Sequence, residues 1–336
     1  MKKSLISMAF LVALLAGLQA VFGGGSDPAP LAPSRIVTDT GGELREVSIH
    51  LVPEASFAHD AWRDFLCGLD SSVEIQVVCE NEDSWERGKA LLSAWEVGNL
   101  SRFHPRFLRA ALTPWNRDRM IVTDRTLFAP PAPHRGGKER KNEWKVPWIL
   151  SGFGRSVEIA PFHFEGGDLI ASERYVFATE VLVSRNPTLS RGELKRHVEE
   201  LCGRTLILIG GEVPEHHIGM FLTPLDDRRV VVGRSEGPLA ERLDHVAETL
   251  KKKGFEVFRS PLVSTEEEYA WITYNNNVMS GKTIYLPVYG IELDRKATEL
   301  YESFGFRVVP VDVQGIYRLG GTLRCLMHVL ARGEGE

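Results

Sequence analysis

Residues 190–209 read Ser190-Arg191-Gly192-Glu193-Leu194-Lys195-Arg196-His197-Val198-Glu199-Glu200-Leu201-Cys202-Gly203-Arg204-Thr205-Leu206-Ile207-Leu208-Ile209. Ser190 with Glu193 three positions on is a capping box, each side chain able to accept from the other's backbone N–H. A helix therefore opens at Ser190, Gly203 closes it, and Thr205 to Ile209 follow as a strand. The same order recurs downstream. Pro238 fits the first turn of a helix whose Leu239, Leu243, Val246 and Leu250 share one face; Gly254 ends it and the strand Phe255 to Phe258 follows. A third unit runs through the helix Asp294 to Phe304, then Gly305, then the strand Phe306 to Val311. A looser copy joins a helix over Ala58 to Cys67 to a strand over Val73 to Val78. Repetition of this kind predicts a modular α/β domain. The chain shows no Gly-rich phosphate loop or dinucleotide fingerprint, which argues against nucleotide chemistry.

Upstream, Val47 to Val52 alternates like a half-buried strand, and Ser84 to Glu96 reads as a helix. Pro130 to Asn142 carries prolines, a glycine pair and four basic residues. It reads as a solvated surface loop, with a lid over a site as the alternative.

Across 336 residues, 43% are hydrophobic and 25% charged, enough apolar surface for a large core. A net charge of −5 gives no reason to expect nucleic-acid binding. The N-terminus opens with Met1-Lys2-Lys3 and an apolar run from Leu5 to Leu18, followed by small-residue cleavage options. That pattern predicts a signal peptide over 1–23 and export to a periplasmic or secreted location, with no stable membrane association after cleavage; an uncleaved anchor is the alternative. Residues 24–44 read as a flexible linker and 45–333 as the catalytic domain. In an oxidising compartment Cys67 and Cys79 are the pair close enough in sequence to be bridged, and Cys202 reads as buried.

Four segments could carry chemistry. Gly320-Gly321-Thr322-Leu323-Arg324-Cys325 places a thiol after a glycine pair, which by itself better suits a small buried apolar side chain. Trp115-Asn116-Arg117-Asp118, Phe164-Glu165-Gly166-Gly167-Asp168 and His216-His217-Ile218-Gly219-Met220 add a cation, carboxylates and an imidazole. Together they supply a nucleophile, a proton carrier and anionic groups suited to a cationic substrate.

These residues resemble those of the guanidino-group-modifying pentein superfamily, most closely its agmatine deiminase and Porphyromonas-type peptidylarginine deiminase branch. The matching motifs, in the family's order, are Trp115-x-Arg117-Asp118, Glu165-Gly166-Gly167-Asp168, Arg185-Asn186-Pro187, His217-Ile218-x-Met220, Tyr274-x-Asn276 and Gly320-Gly321-x-Leu323-x-Cys325. Pro287-Val288-Tyr289-Gly290 also matches, and the resemblance spans about residues 45–331. It implies a five-bladed α/β propeller with the site on its central axis. It also implies Cys325 as nucleophile, His217 as general acid and base, and Glu165 as that histidine's partner. Asp118 would bind the substrate guanidinium, with Trp115, Arg117 and Asn276 close to the substrate. The implied substrate is a guanidino small molecule or an arginine-containing peptide, and no cofactor or metal is required. An amidinotransferase, or a catalytically silent pentein that binds arginine-like groups, are the alternatives.

The chain departs from that branch in three places. Gly219 stands where the branch has the aspartate of His-x-Asp, Met120-Ile121 replaces Gly-Pro, and Arg324 replaces a histidine. The first removes one carboxylate from the guanidinium site, so restoring it by Gly219→Asp is expected to raise activity.

Overall fold

The computed structural model describes residues 34–333 except 152–153 and 266–268. The proposed signal peptide and the first part of the linker lie outside the described residues. Residues 34–44, read as the end of that linker, are instead packed onto the body. Ile36 N–H donates to Cys202 O (2.9 Å), Val37 N–H to Val122 O (2.8 Å), and Asp39 is buried.

Five small sheets follow one plan: a short inner strand, a longer strand antiparallel to it, a crossover, and a strand parallel to the second. Parallel neighbours need a crossover of a dozen residues or more, commonly a helix. In the second blade Ile121–Val122 pairs with Thr126–Ala129, then Ser156–Ile159. In the third Ile170–Ala171 pairs with Tyr175–Thr179, then Thr205–Ile209. The fourth runs Leu222–Pro224, Arg229–Arg234, Glu256–Ser264 and adds Trp271–Thr273. The fifth uses Val278–Ser280, Thr283–Val288 and Arg307–Asp312. The first blade takes its inner strand from the end of the chain: Met327–Arg332 lies antiparallel to Leu44–Ile49, which pairs with Glu74–Cys79 and then Phe103–Phe107. That pairing closes the ring and makes a five-bladed α/β propeller, the pentein fold.

The repeated units of the sequence are the crossovers. The helix Arg191–Cys202 has the Ser190–Glu193 capping box, Pro238–Lys252 buries Leu243, Val246, Ala247 and Leu250, and Glu292–Ser303 buries Ala297 and Tyr301. Gly203, Gly254 and Gly305 follow these helices with φ of 61°, 91° and 87°, where a side chain would be strained. The inner strands, two or three residues long in four blades, are too short to hold by ladder bonds alone. Burial fixes them: Ile121, Val122, Ile170, Ala171 and Leu222 are all in the core, and each fully buried Val, Leu or Ile side chain contributes about 1.5–3 kcal/mol.

The second blade departs from the plan. Its crossover, residues 130–155, replaces one long helix by the short helices Lys138–Asn142 and Val146–Leu150. The loop expected to be solvated is exposed over much of its length, yet His134 is buried and Arg140 turns inward.

Cys67 and Cys79 are free thiols. Cys67 is exposed on the helix His59–Gly68 and lies against Trp95 O (3.4 Å), whereas Cys79 is buried at the end of its strand, where burial pushes its thiol up to about 12. Among the described residues no helix is long and apolar enough to cross a membrane.

Candidate active site

Every blade delivers one site segment at an equivalent place, the entry to its inner strand. Asp118 lies in the helical turn Asn116–Arg119, Glu165 caps the turn Gly166–Asp168, and His217 caps Ile218–Met220. Asn276 precedes Val278–Ser280, and Cys325 sits in the turn Leu323–Leu326 before Met327. Polar side chains separated by up to 207 positions therefore converge on the axis.

Glycine makes the convergence sterically feasible. A Cβ at Gly167 would come 2.5 Å from His217 Nδ1, and one at Gly321 would come 2.7 Å from the Trp115 ring. Contacts that short do not occur, so these two positions let the histidine and tryptophan approach the backbone.

His217 lies between carboxylates. Its Nε2 is 2.9 Å from Glu165 Oε2 and 4.0 Å from Asp168 Oδ1, and its Nδ1 is 3.5 Å from Asp118 Oδ1. Burial would lower its pKa. The negative charge of Asp118, hydrogen bonding with Cys325 and Glu165, and Asp168 overcome that and hold it well above the ordinary histidine value. Burial would raise Glu165, but the hydrogen bond and charge of His217, then Arg185 and Arg140, hold it well below the usual carboxylate range. The pair is therefore an imidazolium and a carboxylate at neutral pH.

Cys325 is 5% exposed. Asn276 clamps its loop: Oδ1 accepts from Thr322 Oγ1 (2.8 Å), Arg324 N–H (2.9 Å) and Cys325 N–H (3.4 Å), while Nδ2 donates to Cys325 Sγ (3.5 Å). Asn276 thus positions the thiol. Trp115 packs, half-buried, against Gly321.

Arg117 is not paired with Asp118, Glu165 or Asp168. Its guanidinium pairs with Asp39 (3.1 and 3.2 Å) and donates to Gly166 O (3.3 Å) and Leu169 O (2.9 Å). Expected beside the substrate, it is instead a brace under the Glu165 turn. Its partner Asp39 lies in the stretch read as linker, so no local signal marked the pairing.

Sequence reasoning assigned no role to Arg140, Arg185 or Glu143. Arg185, from the Arg-Asn-Pro motif, bridges Glu165 Oε2 (2.6 Å) and Asp168 Oδ2 (2.7 Å). Arg140 contacts Asp118 Oδ2 (3.1 Å), Glu143 Oε2 (2.8 Å) and Glu165 Oε1 (2.5 Å). Two buried acceptors of the site, Asp118 Oδ1 and Asp168 Oδ1, have no hydrogen-bond partner.

Ligand atoms of Asp118, Glu165 and His217 lie within 4.8 Å of one another, a spacing that could hold a metal ion. A protonated imidazole is a poor metal ligand, and two guanidinium groups already engage these oxygens. The set fits an organic cation better. A thiol, an imidazolium and buried carboxylates with a free acceptor are the parts needed to bind a guanidinium, attack its carbon and protonate an amine as it leaves.

The sequence profile described as Porphyromonas-type peptidyl-arginine deiminase matches residues 52–329. The chain belongs to this family. As a member it is a guanidino-group-modifying type of protein, and its fold agrees. The agmatine deiminase of C. jejuni superposes with a TM-score of 0.74 at 18% identity, covering 90% of this chain and 97% of that one. The agmatine deiminase of Enterococcus faecalis gives 0.67 at 15% identity over 88% and 95%. An amidinotransferase of Microseira wollei gives 0.54 at 13% identity over 90% and 99%. No curated protein sequence matches the chain. Identities this low establish the shared fold of the deiminase-family protein and leave its substrate to the site chemistry.

Two buried histidines, His50 and His328, set an acid limit on this family member. Burial, then the charge of Arg119 for His50 and of Arg117 for His328, depresses each to about 3. Each is neutral when folded but takes up a proton below about pH 6.5 when unfolded, so stability falls as pH drops from that value towards 3. The slope is up to about 1.4 kcal/mol per pH unit for each histidine. His217 has the opposite sign: its contribution is complete below pH 6.5 and is lost as pH rises through its raised folded value. Urea midpoints should therefore drop steeply from pH 6.5 to 5. A flat profile would contradict the neutral burial of His50 and His328.

Proposed function

We propose that the protein is an exported hydrolase that cleaves a guanidino C–N bond of an arginine-type substrate, giving a ureido product and ammonia. The observation that supports this most is the unpartnered Asp118 Oδ1, a buried acceptor 3.5 Å from His217 in the same site as Cys325. A guanidinium carbon is electrophilic while the group is protonated, so a carboxylate that holds the cation also keeps it reactive. The Cys325 thiolate adds to that carbon, His217 gives a proton to the departing ammonia, and a covalent thiouronium remains on sulfur. His217, now neutral, takes a proton from water as it adds to the same carbon. Collapse expels the thiolate and leaves the ureido group. Glu165 holds His217 in place and favours its cationic form.

Peptidylarginine, arginine and agmatine all offer the required group. The N-terminal pattern favours export, and export favours a peptide or protein substrate. A silent, arginine-binding pentein is the second reading, favoured by Gly219, which leaves the site without one carboxylate of the branch. Capture of the thiouronium by an amine instead of water would make the protein an amidinotransferase. A haloacetamidine separates active from silent sites, because alkylation needs both the amidinium site and a reactive thiol. Mass spectrometry is expected to find the label on Cys325, with loss of labelling in Asp118→Ala. Labelling confined to Cys67, Cys79 or Cys202 would remove the assignment.

A further inference from the structure

The carboxylate assigned to the substrate, Asp118, already holds a guanidinium. Arg140 reaches from the second-blade crossover and donates to Asp118, Glu165 and Glu143 at 3.1, 2.5 and 2.8 Å. Its own pKa is raised: burial would lower it, but Asp118, Glu143 and Glu165 outweigh that. Glu143 is itself fully buried and accepts from Thr113 Oγ1, so it provides a second, inner anchor for Arg140.

The segment that carries Arg140 has the build of a strap. Arg135 to Glu139 are exposed, while His134 and Arg140 dip inward. Gly136 and Gly137 precede the helix Lys138–Asn142, and Gly136 has φ of 126°, a conformation only glycine adopts readily. At its last helical residue and just after it the segment is fixed: Asn142 Nδ2 donates to Ala111 O (3.0 Å) and Trp144 Nε1 to Pro130 O (2.8 Å). A glycine pair on one side and a pinned base on the other give a short lever with Arg140 at its tip.

We infer that Arg140 is a built-in occupant of the guanidinium site that closes it at rest and is displaced when a guanidino substrate enters. The inference rests on the reading of Asp118 as the substrate's carboxylate. A substrate guanidinium on Asp118 Oδ1 would lie beside Arg140 on Oδ2 of the same carboxylate, and repulsion between the two cations drives Arg140 outward. A bare guanidinium gains little from replacing an equivalent internal group. Selection therefore falls on substrates with further contacts, such as an extended arginine chain, over small cations.

Binding is measured by calorimetry with agmatine and, separately, acetyl-arginine amide, on a Cys325→Ala background that blocks turnover. Arg140→Gln on that background is expected to bind both ligands about tenfold or more tightly than the protein that keeps Arg140, and Arg140→Lys to fall between. In the protein that keeps Arg140, saturating ligand is expected to raise amide hydrogen exchange over 138–142. Equal or weaker binding by folded Arg140→Gln, with exchange unchanged, overturns the inference while leaving the deiminase reading intact. Absence of binding to every variant overturns both. If Arg140→Gln does not fold, exchange in the Arg140 protein decides: an increase supports displacement, and no change or a decrease rejects it.

Discussion

Asp118→Ala is expected to lower kcat/KM by about a hundredfold or more on every guanidino substrate, because removing one partner of a buried charge pair costs about 3–5 kcal/mol. Asp118 is 4% exposed, presents its open Oδ1 to the site, and faces His217 Nδ1 at 3.5 Å. The substitution removes both the acceptor for the substrate cation and one source of the raised His217 pKa. Asp118→Asn keeps the shape and loses the charge, so it should lie close to the alanine variant. Circular dichroism and thermal melting check that Arg140, deprived of one carboxylate, has not unfolded the crossover. Near-normal kcat/KM in folded Asp118→Ala would mean that the substrate cation is held elsewhere.

The second large effect concerns Gly219, and the structure changes the expectation drawn from sequence. Gly219 is outside the positive-φ region, and a Cβ there would meet Arg324 Cδ and Nη1 at 3.5 Å, ordinary contact. An aspartate is therefore tolerated. It would, however, meet Arg324 Nη1, which has no hydrogen-bond partner and lies 3.8 Å from its nearest carboxylate oxygen, on Asp39. The new carboxylate pairs with Arg324 and leaves the substrate without it. Gly219→Asp alone should stay within a few-fold of wild type. Gly219→Asp with Arg324→His frees the carboxylate, and a charge-assisted hydrogen bond of about 1.5–3 kcal/mol raises kcat/KM about ten- to a hundredfold on unmethylated substrates. A large gain from Gly219→Asp alone would show that Arg324 does not capture the carboxylate.

Much of the propeller was legible because its crossovers announce themselves. Ser190 and Glu193 cap a helix, Gly203, Gly254 and Gly305 end three, and apolar strands follow at once. Most inner strands were missed because two or three residues, as at Ile170–Ala171 or Leu222–Pro224, carry no periodicity. Tertiary burial alone makes them strands. The convergence of Cys325, His217, Glu165 and Asp118 was legible because residue type and motif coincide there. Arg140 left no signal, because a basic residue in a Pro- and Gly-containing loop has the composition of a solvated turn. Only the carboxylates brought by two other blades give it an inward role. Arg117 misled for the converse reason: its motif position suggested a substrate contact, while its partner Asp39 lies 78 residues earlier in a stretch without regular structure.

The central claim is hydrolysis of a guanidino group by Cys325, and ammonia release tests it most directly. Wild type and Cys325→Ser are compared on arginine, agmatine, methylated arginine and arginine-containing peptides, with the ureido product identified by mass. Ammonia and ureido product in equal amounts from at least one of these substrates, abolished in Cys325→Ser, is the predicted result. A folded wild type that releases no ammonia from any of them, or a Cys325→Ser variant that keeps the activity, would contradict the account.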